Sequence, residues 1–208
     1  MSSTRGPHFW TASTSPIVQR FANELSRALP LARPTDPRAL FVVRRSEHTG
    51  LGVFVKDQCT VPHGVPVGAY WGLLTDNPCT DSHYLLELPD LKLTQHGLGP
   101  CLFVDAHLTC LRGDPTPDQV ALFNHQCEDP PCAGRWLYSD HSLLPIFVAY
   151  TRRSLRGGTE LTYNYDGHLR SEPWTYTMDF ATAAARGRTN FPCRCAAPDP
   201  CPKGRFFP

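Results

Sequence analysis

Residues 122–132 read LFNHQCEDPPC and set a carboxamide, an imidazole and two thiols close behind a hydrophobic pair. Three chemistries are open to such a stretch. His125 and Cys127 could form a nucleophilic pair, the thiols could ligate a metal, or the segment could be one wall of a pocket. Which of these holds depends on what the rest of the chain brings to it.

The 208 residues suffice for one sizeable domain or a domain with small appendages. Twenty basic residues against 19 acidic ones leave a formal charge of +1, which gives no reason to expect direct nucleic-acid binding. Hydrophobic residues at 41% allow a core, while 21 prolines and 15 glycines favour loops and short strands over long helices. The opening MSSTRGPHFWTASTSP lacks the apolar core of a secretory signal. The apolar run SLLPIFVAY is too short to span a membrane. An intracellular, reducing setting is therefore expected. There nine cysteines speak for free core thiols and metal ligands rather than a disulfide frame.

Upstream, residues 1–14 read as a loose tail. Ser15 and Pro16 then suit an N-cap and a first helical residue. Ile17, Phe21, Leu25 and Leu29 recur every four residues, predicting an amphipathic helix that ends before Pro30 and packs on the main domain. From Ala39 the pattern changes. ALFVV, GVFV, VPVGAYWGLL, HYLLEL, CLFVD, RWLY, LPIFVAY and TELTYNY read as short strands separated by Gly, Pro and Asp. A short helix is expected in DPTPDQVALF, with Thr116 as cap, Pro117 in the first turn and Gln119 as capping-box partner.

Downstream, Cys193, Cys195 and Cys201 form a C-x-C-x5-C cluster stiffened by Pro198, Pro200 and Pro202. Structural zinc takes four soft ligands in a tetrahedron, so three corners are at hand. Cys127 is the best candidate for the fourth and Cys132 the next. Zinc there would staple the apolar-poor tail to the core. Gly50, Leu51 and Gly52 lie in HTGLGVFVKD, where glycines let backbone approach a ligand or turn a hairpin. In GGTELTYNYDG, strand alternation puts Tyr163 and Tyr165 on one face and Asn164 on the other.

Taken in order, G-L-G-V-F, GAYWG, VDA, FNHQC, GGTELTYNYDG and C-x-C-x5-C resemble the SET domain of protein lysine methyltransferases and its cysteine-rich post-SET tail. The match runs from about Leu40 to Phe206, and FNHQC together with ELTYNY is its specific part. The resemblance implies a mainly β fold with short helices: small curved sheets and a pseudoknot that sets the N-H-x-C segment beside the E-L-T-x-x-Y segment. Residues 1–38 would be an N-terminal tail and amphipathic helix, 39–167 the SET domain, and 168–208 a linker and zinc-binding post-SET segment. Gly50, Leu51, Gly52, Asn124, His125 and Tyr163 would line the S-adenosylmethionine site. Cys127, Cys193, Cys195 and Cys201 would hold Zn2+. Tyr165 takes the place of the family's catalytic tyrosine, and Tyr163 that of the residue tuning how many methyl groups are added. Tyr70 matches a channel residue and Asp105 a structural Asp-Ala pair. A Tyr at 163 resembles the enzymes that favour mono- or dimethylation. The sequence departs from the family pattern at Ala121 (Arg in many members), at Asn164 (usually Asp) and in EDPPC after the N-H-x-C motif.

The resemblance further implies in-line transfer of a methyl group to a lysine amine, with a protein substrate bearing a lysine tail, a histone foremost, and hence a nuclear location. An ordinary Lys has a pKa of about 10.4, so only about one amine in 2,000 is neutral at pH 7. Burial beside a positive sulfonium lowers that pKa. The first alternative is a catalytically inactive SET-like module containing zinc that binds a partner. A cofactor-free structural zinc protein is another. A hydrolase using Cys127 and His125 is a third, although no orienting third group or oxyanion feature accompanies that pair.

Overall fold

In a computed structural model the described residues are 7–46, 50–76, 84–88, 102–111, 115–126, 129–138 and 144–165. The fold is mainly β, and its short strands form five small sheets among these residues. β1 (Phe41–Ser46) and β2 (Gly50–Val55) make a hairpin. β3 (Thr60–Val61) pairs with β11 (Leu155–Arg156). β4 (Pro66–Ala69), β10 (Ile146–Thr151) and β9 (Cys132–Leu137) form one antiparallel sheet, with β10 central. β5 (Leu73–Thr75), β7 (Phe103–Asp105) and β6 (Leu85–Glu87) form another, with β7 central. β8 (Asn124–His125) and β12 (Thr162–Tyr163) are the parallel pair.

The first helix, α1 (Pro16–Ala28), starts where the sequence predicts. The Ser15 carbonyl accepts from Gln19 N at 3.1 Å, but its hydroxyl makes no cap. Phe21, Leu25 and Leu29 are buried as predicted, Ile17 only partly, and Val18, Ala22 and Ala28 widen the buried face. Full burial of such side chains is worth about 1.5–3 kcal/mol each. Residues 7–14 are not a loose tail. Trp10 bridges Leu73 in parallel, its N–H donating to Gly72 O at 3.2 Å and its carbonyl accepting from Leu74 N at 2.7 Å. Phe9 is buried, and the Ser26 hydroxyl ties its backbone to α1. A short α2 (Pro37–Leu40), capped by the Asp36 carboxylate at 3.1 Å, then leads into β1.

Two predicted elements differ. VPVGAYWGLL is not one strand: it breaks at Tyr70-Trp71-Gly72 and passes from the β4 sheet to the β5 sheet. Glycine permits that passage. A Cβ on Gly68 would come within 2.4 Å of the Asp118 carbonyl, and one on Gly72 within 2.3 Å of the Asp105 carbonyl. The short helix expected in DPTPDQVALF is a 3-10 segment at Val120–Leu122, preceded by a turn, rather than a run beginning at the Thr116 cap. The buried Gln119 carboxamide donates to Trp71 O at 2.7 Å and to Thr109 Oγ1 at 3.0 Å instead of closing a capping box. Its oxygen still accepts from Ala121 N at 3.5 Å, so the same side chain caps the 3-10 segment and joins it to distant residues. A further short helix, α3 (His107–Leu111), was not foreseen; Asp105 Oδ1 accepts from His107 N at 2.8 Å at its start.

Candidate active site

The N-H-x-C and E-L-T-x-x-Y segments meet, as the sequence predicts. Asn124 lies opposite Thr162 and His125 opposite Tyr163. A parallel pair needs a long crossover, and here β9, β10 and β11 supply it. Side chains lock the register. Thr162 Oγ1 donates to Gln126 Oε1 at 2.6 Å, and Gln126 N donates to Tyr163 O at 3.1 Å. Tyr165 N donates to His125 Nδ1 at 3.2 Å across 40 residues of sequence, so a neutral His125 carries its ring proton on Nε2. The His125 and Tyr165 rings meet edge to face at 5.0 Å.

Beside this pair lies a glycine rim. Gly50 opens β2 with φ +90°, a conformation that only glycine adopts freely, and a Cβ there would meet nothing within 4 Å. Leu51 is half-exposed. Gly52 packs against Glu160 and Asn124; a Cβ would come within 2.3 Å of Glu160 Oε1 and 2.9 Å of Asn124 Nδ2. The Asn124 amide donates to Leu51 O at 3.0 Å and to Glu160 Oε1 at 2.6 Å. Glu160 Oε2 accepts from the Ser46 hydroxyl at 2.9 Å. Backbone bonds from Leu161 N to Val53 O (2.7 Å) and from Val55 N to Thr159 O (2.9 Å) zip the E-L-T segment along β2. Gly50, Leu51, Gly52, Asn124 and His125 thus occupy one neighbourhood.

Three phenols gather at the other end of the pair. Tyr70 and Tyr163 are buried, while Tyr165 is 36% exposed with its hydroxyl turned inward to donate to Phe123 O at 2.9 Å. The Tyr163 and Tyr165 ring centroids stand 4.8 Å apart. Burial, reinforced by neighbouring Tyr163, Cys110, Tyr165 and Asp105, pushes the Tyr70 phenol well above its usual value. Burial and then Tyr165 do the same to Tyr163. Tyr165 is raised by burial first, then by Tyr84, Cys110 and Glu160. A phenol held this way stays neutral at physiological pH and offers oxygen lone pairs rather than charge.

Tyr84 and Cys110 were not picked out from the sequence, yet both stand close enough to the Tyr165 phenol to help raise it. Tyr84 hides in a strand-like HYLLEL run, and Cys110 sits on the unforeseen α3. Nothing in their local sequence signals a site. Burial pushes the thiols of Cys110 and Cys132 up to about 12, which removes both as nucleophiles near neutral pH. Cys132 begins β9 inside the core. The four predicted zinc ligands, Cys127, Cys193, Cys195 and Cys201, lie outside the described residues. No cluster of three His, Cys, Asp or Glu side chains able to hold a metal occurs among the described residues. No helix among them is long and apolar enough to cross a membrane.

No family model and no curated protein matches the sequence. The structure is similar to solved structures of KRYPTONITE. One, in complex with mCHG DNA and SAH, aligns with a TM-score of 0.51 at 22% identity over 80% of this chain. Another, with mCHH DNA, an H3(1-15) peptide and SAH, aligns at 0.49 and 21% identity, also over 80%. The chain spans only 29% of the length of each of those proteins. The chain has the SET-domain fold.

Proposed function

We propose that the chain is an S-adenosylmethionine-dependent protein lysine N-methyltransferase. The observation that carries this is the parallel pairing of β8 with β12, which brings the Gly50–Gly52 rim, His125 and the Tyr165 phenol to one place. SAH in the KRYPTONITE structure of the same fold supports the cofactor class. Gly50, Leu51, Gly52, Asn124, His125 and Tyr163 would hold S-adenosylmethionine. When bound, it supplies a methyl group carried on a cationic sulfonium.

The chain's own residues prepare the acceptor. Deprotonating an ordinary lysine at pH 7 costs roughly 4–5 kcal/mol. A dry pocket of neutral phenols lowers that cost, because it destabilises the ammonium more than the amine. The one hydroxyl hydrogen of Tyr165 is committed to Phe123 O. Its oxygen can accept an N–H from the amine and so orient the nitrogen. Positioning of this kind, rather than covalent catalysis, is the chemistry the site offers. A buried Tyr163 restricts the room around the amine, in keeping with mono- or dimethylation. We assign the substrate to histone tails and the location to the nucleus. Zinc on Cys127, Cys193, Cys195 and Cys201 would tie residues 168–208 to the 39–167 domain.

Incubation of the full chain with methyl-labelled S-adenosylmethionine and a panel of histones tests this. Label on a lysine is expected, together with zinc in the active preparation and loss of transfer on chelation. A folded chain that labels no protein overturns the proposal, and active protein free of zinc removes its metal.

A further inference from the structure

An unbroken train of rings leads from β9 into the phenol pocket. Trp136 meets Phe147 at 5.1 Å, Phe147 meets Tyr163 at 5.7 Å, and Tyr163 meets Tyr165 at 4.8 Å. Phe147 is the pinned member. Its ring tip presses on the β9 backbone at Gly134, where an added Cβ would fall 2.0 Å from Phe147 Cζ. Its own carbonyl accepts from Tyr70 N at 2.8 Å, so the residue is anchored to the second buried phenol as well. Phe147 therefore has no room to back away from Tyr163.

Tyr163 is held differently. Its hydroxyl makes no hydrogen bond to any described residue, whereas the Tyr165 hydroxyl is tied to Phe123 O. Packing alone sets how deep the Tyr163 ring sits: Tyr165 touches it on one side and Phe147 on another. Each methyl added to an amine needs its own volume, and a rigid neighbour decides whether a second or third fits.

From this we infer that Phe147, wedged on Gly134, is a specificity-determining residue: it fixes the depth of Tyr163 and thereby the number of methyl groups the pocket accepts. The inference rests on the methyltransferase reading above. Phe147 is a positioning residue and touches no reacting atom. Gly134 belongs to the same device, since only a residue without a Cβ lets the Phe147 ring lie where it does.

The test follows the methyl count by mass spectrometry, in time courses on an unmethylated and a monomethylated lysine peptide. In Phe147→Leu the Tyr163 ring can retreat toward Gly134. The rate of the second methylation relative to the first is expected to rise about tenfold, the scale of one methyl's fit in a pocket, with the first rate little changed. Combining Phe147→Leu with Tyr163→Phe is expected to give less than the product of the two separate shifts, because both act on one space. Gly134→Ala drives Phe147 the other way and is expected to slow the second methylation. A merely structural role for Phe147 would lower both rates together. If Phe147→Leu transfers methyl groups with an unchanged second-to-first ratio, this inference falls and the methyltransferase reading stands. If the wild-type chain transfers none, both fall.

Discussion

At the glycine rim, polar atoms answer one another. The Asn124 amide splits its two hydrogens between Leu51 O and Glu160, and Glu160 takes a second bond from Ser46. Gly52 leaves just enough space for them. The phenol pocket, which meets the rim at the same strand pair, is held by ring on ring, with one hydroxyl tied to a carbonyl. The rim is a hydrogen-bonded frame that a single methyl group would break. The phenol cluster is held by packing, and burial keeps its hydroxyls uncharged near neutral pH. A site built in two such ways should lose cofactor binding and methyl transfer to separate substitutions.

Tyr165→Phe should separate them most widely. It removes the oxygen that would orient the amine and leaves the Gly50–Gly52 rim intact. Loss of one positioned hydrogen-bonding group in a preorganised site costs on the order of 100–1,000-fold in rate. Methyl transfer should fall by that much while SAH binding, followed by calorimetry, stays within about twofold. Near-normal turnover removes Tyr165 from its role. Equal loss of SAH binding would show that rim and pocket are one structure rather than two.

Gly52→Ala strikes the other half. The new Cβ would sit 2.3 Å from Glu160 Oε1 and 2.9 Å from Asn124 Nδ2, so one of those groups must move. Overpacking of this kind costs roughly 1–3 kcal/mol. The melting temperature should drop and SAH affinity should fall, while tyrosine burial in the pocket is preserved. Unchanged SAH affinity would mean that the Asn124–Glu160 frame does not shape the cofactor site.

The two regions also differ in how far the sequence foretold them. The rim was expected from the family resemblance, which set Gly50–Gly52 beside Asn124 and His125, since the glycines alone read equally well as a hairpin turn. The meeting of FNHQC with ELTYNY was expected from the family resemblance, and β8 with β12 bears it out. Tyr163 and Tyr165 were legible as a pair through strand alternation, and the Tyr70 phenol, expected beside them from the resemblance, lies there in the fold. The rest of the pocket was not. Tyr84 comes from a run that reads as an ordinary strand, and Cys110 from a five-residue helix whose start depends on Asp105. The short helix expected in DPTPDQVALF shrinks to a 3-10 turn at Val120–Leu122 for the same reason. Gln119 carries a good local capping signal, but its carboxamide finds Trp71 O and Thr109 in the folded chain. Local propensity describes what a segment does alone, and these residues are placed by partners far away in sequence.

The smallest expected effect tests whether the pocket is dry. Tyr70, Tyr163 and Tyr165 all have phenols raised by burial, and Tyr84 is raised in the same direction. An acid whose folded pKa lies above its unfolded value, about 10 for tyrosine, adds stability that is complete below that value. The contribution drains away as pH climbs through the raised folded pKa. These groups should therefore leave stability unchanged between neutrality and pH of about 9, then erode it above about 10. Phenolate absorbance of the native chain at pH of about 10 should fall well short of that of the unfolded chain, in which every tyrosine titrates near its ordinary value. The rim contributes no phenol, so Gly52→Ala should leave this titration in place if the two regions are independent. Native tyrosines that all ionise like those of the unfolded chain would mean water reaches the three rings. A wet pocket could not lower the cost of a neutral amine, and the division of labour between rim and pocket would lose its physical basis.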